Sequence, residues 1–130
     1  MKTLLPDGWP QPKGFTHGIV ADGRTIWVAG QIGMDAAGTM AAGLAAQVEQ
    51  ALRNIVTVLS AAGASPDQVV RLTWYMTDLT QYEAQLKEIG QAYRRVMGRH
   101  FPTMSVIGIT RLVERTALVE IEATAMLPPP

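Results

Sequence analysis

The segment "LVEIEATA" sets two carboxylates, Glu120 and Glu122, at alternate positions among apolar residues. A period of two puts both on one face of a strand. Glu120 in such a place can serve as a general base or orient an attacking water. The same pattern also describes the solvated face of an ordinary strand, and that reading applies to either glutamate. His17, in "GFTHG", is the second titratable candidate, because an imidazole can supply a proton or carry a positive charge. Its plainer reading is a surface or hydrogen-bonded structural residue. Arg111 and Arg115 flank "LVE" in a turn and would reach a cleft only across a subunit boundary; turn arginines are ordinarily solvated. The two histidines lie far apart and there is no cysteine, so no metal site is expected. Gly30-Gln31 is too short for a phosphate loop, and no Walker or dinucleotide fingerprint is present.

These groups need elements to hold them. Asp22-Gly23 between two apolar segments is a hairpin signal, predicting strands over about Phe15 to Ala21 and Thr25 to Ile32. In "GLAAQVEQALRNIVTVLSAAG" the residues Leu44, Val48, Ala51, Leu52, Ile55 and Leu59 form one helical stripe, ended by Gly63 as a C-terminal cap. "SPDQ" has capping-box spacing and leads into "VVRLTWYMTD", a β-branched and aromatic strand. Trp74 and Tyr75 then point to opposite faces, with Trp74 read as core or interface packing. Thr80 and Glu83 also have capping-box spacing, opening a second helix through Tyr82, Leu86, Ile89, Tyr93 and Val96 or Met97 to Gly98. Thr103 to Thr110 and Thr116 to Met126 complete the strands. The order β-β-α-β-α-β-β predicts a single α+β domain over residues 1–130, a mixed sheet with two helices on one face. Strands as apolar as "TIWVAGQI" and "MSVIGI" leave the other face to be covered by another copy of the chain, so a homo-oligomer is expected.

Composition narrows the partners. Eleven basic residues balance eleven acidic ones, which leaves no electrostatic footprint for nucleic acid or an anionic membrane. The N-terminal "MKTLLPDGWPQPKG" lacks the sustained apolar run of a signal peptide, and no window is apolar enough to span a bilayer. A cytoplasmic protein is the expectation.

The pieces "VAGQI", "AAGASPDQVVRLTWYMTDL", Pro102 after the second helix and "ALVEIEATA" occur in an order and spacing that resemble the Rid (YjgF) family of reactive-intermediate deaminases, from about Gly14 to Ala125. The resemblance implies a chorismate-mutase-like fold and a homotrimer with ligand clefts between subunits. It further implies hydrolysis of enamines and imines derived from amino acids, with neither a metal nor an organic cofactor. It implies an arginine, in a "PARS" stretch, that grips the substrate carboxylate. Here the stretch is "PTMS", and Met104 has neither charge nor donor to replace a bidentate cation. By the same likeness Thr16 stands for a tyrosine, Ala29 for a serine, Leu86 for an asparagine and Val106 for a small polar residue. Glu120, Gly30 and Gln31 are retained.

Met104, Val106 and Leu86 together suggest an apolar cleft; they are also what an inactive or repurposed site would contain. The expected activity is therefore deamination of an enamine or imine whose carboxylate is distant or absent, such as an enamine of the 2-aminomuconate kind. Glu120 would handle the water and His17 would be the proton partner, with little turnover of 2-aminoacrylate or other 2-imino acids. The alternative is a trimer that binds a small metabolite without turnover. A ribonuclease is disfavoured by the neutral charge balance.

Overall fold

A computed structural model describes residues 1–130. Its main sheet has four strands: β3 (Arg24–Ile32), β4 (Val69–Met76), β5 (Thr103–Gly108) and β6 (Val119–Leu127), in the order β3-β6-β4-β5. Only β4 and β5 run parallel. The long helix α1 (Leu44–Ala61) packs on this sheet and against α3 (Leu86–Met97). Along β6 the residues Val119, Ile121, Ala123 and Ala125 are buried beneath the helices, as are Leu72, Trp74 and Met76 of β4. The intervening residues of both strands, Glu120, Glu122, Thr73 and Tyr75 among them, take the opposite, helix-free face.

The α1 stripe is buried as its periodicity predicts, with Leu44, Val48, Ala51, Leu52, Ile55 and Leu59 all in the core. Gly63, at φ 75°, ends the helix: its N–H and that of Ala64 donate to the carbonyls of Ser60 and Leu59, the two bonds of a Schellman motif. In "SPDQ", Gln68 Oε1 accepts from the Ser65 N–H at 2.9 Å before a short 3₁₀ turn, Pro66–Gln68. Glu49 of α1 binds Arg95 of α3 at 2.7 Å and Arg53 at 3.0 Å. These hydrogen bonds, the one from Arg95 foremost, hold its carboxyl below the usual range.

Three expectations need correction. First, Asp22-Gly23 does not join a hairpin. The strand expected over Phe15 to Ala21 is only β2 (Gly18–Val20), and it pairs with an unforeseen β1 (Lys2–Leu4) in a separate two-stranded sheet. The cause lies upstream: the Thr16 N–H and hydroxyl donate to the carbonyls of Pro102 (3.1 Å) and Phe101 (2.6 Å). That anchors the segment at the start of β5, the sheet edge opposite β3. Second, the second helix is two. It breaks at Gln85 (φ −115°), leaving the short α2 (Leu79–Ala84) ahead of α3. Its cap is Asp78, whose carboxylate accepts from the Gln81 N–H at 3.0 Å, and not Thr80. Third, the last strands are shorter than predicted, because residues 109–118 form a loop between Gly108 and Val119.

Candidate functional site

Parallel pairing sets Met104 opposite Leu72 and Val106 opposite Trp74, so both point toward the helices. There they line a cavity of about 480 Å³ with Leu86, Ile89, Tyr93 and Phe15. One wall is an aromatic stack: Trp74 lies on Tyr93 at 6.2 Å between ring centroids, and Tyr93 on Phe101 at 5.5 Å. The Tyr93 hydroxyl donates to the His100 carbonyl at 2.5 Å, which fixes the ring, and burial pushes that hydroxyl's pKa upward. The indole Nε1–H of Trp74 has no partner and is buried. Lys13 and Arg94 stand at the cavity's rim.

Gly90, midway along α3, is also part of the wall. A Cβ there would meet nothing nearer than Arg94 Nη2 at 4.0 Å, so the glycine keeps space open without steric necessity. Gly90→Ala should therefore raise the unfolding free energy by about 0.5–1 kcal/mol through helix propensity, read from urea titration. A destabilised variant would show that the wall is closed against even one methyl group.

Glu120 is elsewhere. Glu120 lies on the helix-free face, in register with Ile32 of β3 and Tyr75 of β4. Its carboxylate rests over Gly30: a Cβ at that position would collide with Oε1 and stand 2.6 Å from Cδ. The missing Cβ leaves room for that approach. Gly30 sits in a register irregularity between Val28 and Gln31, where Gln31 Nε2 donates to the Ala29 carbonyl at 3.1 Å. Bulges of this type re-aim a strand next to a site. Beside it the Tyr75 hydroxyl donates to Glu122 Oε1 at 2.8 Å, and that bond, more than burial, raises the tyrosine's pKa. Glu122 is thus occupied by a structural partner.

Within one chain the candidate residues do not share one face of the sheet. Met104, Val106 and Leu86 share the helix-side cavity, while Glu120 and Ala29 take the helix-free face; Gly30 lies in the bulge beside Glu120, and Gln31 is in register with the buried Ile121. Thr16 joins neither, its hydroxyl being spent on Phe101. His17 is exposed and edge-packed between Trp9 (4.9 Å) and Phe15 (5.1 Å). It does not line the cavity. Arg99, Arg111 and Arg115 are exposed and form no ion pair. Lys13, Phe15, Gly90, Tyr93 and Arg94 were not foreseen as lining. Leu86, Gly90 and Arg94 recur at intervals of four along one helical face, a spacing the sequence displays.

A profile of the Endoribonuclease L-PSP family matches residues 10–127. The chain belongs to the Rid (YjgF) family. Among its relatives, the Drosophila melanogaster "RutC family protein UK114" is 33% identical over 114 residues, 86% of this chain and 78% of that protein. A human protein named 2-iminobutanoate/2-iminopropanoate deaminase is 29% identical over 117 residues, 88% of this chain and 81% of its own length. In three dimensions this Rid chain is similar to YyfB of Yersinia pestis, a Rid protein of unknown function. The TM-score is 0.84 at 36% identity, covering 97% of this chain and 98% of that one. The mixed α+β architecture is that of the family. No helix of this Rid chain is long and apolar enough to cross a membrane.

Proposed function

We propose that this Rid protein acts in the cytoplasm as a homotrimer whose clefts form where the helix-side cavity of one copy meets the Glu120 face of the next. The observation that carries this reading is the placement of Glu120 over Gly30. There the carboxylate occupies the space that a Cβ at position 30 would fill, which supports a set position over the sheet. Support for a second copy comes from the open face itself, where Trp27 is 78% exposed and Ile107 42% exposed.

The reaction proposed is hydrolytic deamination of an enamine, through its imine tautomer. Glu120 accepts a proton from water as the water oxygen bonds to the C=N carbon, and the π electrons move to nitrogen. Returning that proton to nitrogen gives the carbinolamine; the carboxylate then takes the carbinolamine's hydroxyl proton and passes it to nitrogen as the C–N bond breaks, leaving a carbonyl and ammonia. Glu120 suffices for both transfers, since His17 would have to leave Trp9 and Phe15 to take part. Met104 disfavours 2-imino acids such as those in the human relative's name, and favours a substrate with its carboxylate remote or missing. Although the family description names an endoribonuclease, eleven basic against eleven acidic residues support a small-molecule ligand.

One observation favours the second reading, a trimer that binds without turnover: apart from its rim, the cavity wall offers few polar groups. Glu120→Gln separates the two. Because 2-aminomuconate bears a carboxylate on the reacting carbon, the probe is 3-aminocrotonamide, an enamine without a carboxylate; its ammonia release should fall about 100-fold or more while light scattering reports an unchanged oligomer. If the native protein binds the probe but releases no ammonia, the catalytic reading fails and the binding reading stands.

A further inference from the structure

Arg94 and Lys13 are the two cations of the helix-side cavity, and no aspartate or glutamate lines it. Neither makes an ion pair, although Arg95, next along α3, is committed to Glu49 at 2.7 Å. Arg94 folds back over Gly90, one turn earlier, which brings its guanidinium onto the cavity wall instead of into open solvent. A cation in the last helical turn is favoured by the dipole alone, so its exposure on α3 is unremarkable; its direction is what counts. Beneath it runs the Trp74, Tyr93 and Phe101 stack, at centroid spacings of 6.2 and 5.5 Å. A flat apolar wall with an unpaired planar cation at its rim is complementary to one kind of small molecule: a ring or unsaturated chain bearing a carboxylate several atoms away.

We propose that Arg94, assisted by Lys13, is the specificity-determining anion site of this cavity, binding the carboxylate of an aromatic or extended unsaturated acid whose apolar body lies along Trp74 and Tyr93. The inference rests on reading the cavity as one wall of the ligand cleft. It relocates the positive charge from strand β5, where Met104 stands, to helix α3. The carboxylate is then held at the mouth, and the apolar body is held inside.

The test uses two probes of equal shape, 3-phenylpropionate and the neutral 3-phenylpropanamide, titrated into the intact oligomer by calorimetry. The native protein should prefer the carboxylate. Arg94→Gln should weaken carboxylate binding about tenfold or more and leave the amide unchanged, the loss expected for one charge-assisted contact. Arg94→Lys should recover part of the difference. The proposal is overturned if the native protein binds neither probe, if Arg94→Gln weakens both probes equally, or if that variant loses the oligomer, which would make Arg94 an interface residue. Turnover is not read in this experiment. A silent deaminase assay with an intact Arg94 effect would therefore remove the catalytic reading alone.

Discussion

Met104→Arg should confer ammonia release from freshly generated 2-iminopropionate that the native chain lacks or nearly lacks. A charge-assisted contact to a buried carboxylate contributes about 1.5–3 kcal/mol, equivalent to roughly 10- to 150-fold in rate. The structure gives the new side chain a place to go. Met104 is half-buried on β5, points into the 480 Å³ cavity, and faces Leu72 across the parallel pair. Repulsion from Arg94 and Lys13 on the same wall will hold the gain toward the lower end of that range. Native activity equal to that of the variant would sink the prediction and show that another cation already grips the carboxylate. Arg94 would then be the first residue to substitute.

Gln47→Met should lower the unfolding free energy by about 2–4 kcal/mol, because the glutamine is a buried connector. It is 3% exposed on α1. Its Nε2 donates to the carbonyls of Ala41 (3.1 Å) and Thr116 (3.2 Å), and its Oε1 accepts from the Leu118 N–H at 2.7 Å. One side chain thus ties the loop before α1 to the entry of β6, the strand that carries Glu120. Methionine has nearly the right volume, so the loss reports hydrogen bonding and not a cavity. The Leu118 N–H and the Ala41 carbonyl, both half-buried, would be left unpaired, whereas the exposed Thr116 carbonyl can turn to water. Urea unfolding at fixed protein concentration measures the difference. A loss under about 1 kcal/mol would mean that water re-satisfies all three groups.

Gln47 also shows where sequence reading stops. It stands on the apolar stripe of α1 between Leu44 and Val48, and its periodicity marks it only as buried. The groups it joins are 6, 69 and 71 residues away along the chain, and no local pattern announces them. The anchoring of Thr16 was illegible for the same reason: its partner Phe101 is 85 residues distant. That one contact also removes the hairpin that Asp22-Gly23 predicts, by drawing the preceding segment to the far edge of the sheet. The break at Gln85 was hidden because Tyr82, Leu86 and Ile89 keep helical spacing across it, while Asp78 supplied an earlier and stronger cap than Thr80.

What the sequence by itself determined rests on local periodicity, turn chemistry and ordered motifs. The α1 stripe follows from the helical period, the end of that helix from Gly63 adopting positive φ, the strand character of "VVRLTWYM" from its β-branched and aromatic residues, and the family from ordered motifs. By resemblance the same reading also expects Glu120 to be kept and an arginine to stand where Met104 does. Only the tertiary structure decided which faces these residues occupy. Strand side chains alternate with a period of two, so a slip of one residue between neighbouring strands exchanges the faces. The registers that matter join β6 to β3 and β4, and β4 to β5, across long stretches of chain. Those pairings put Met104 with the helices and Glu120 on the open side, above a glycine that leaves room for its carboxylate.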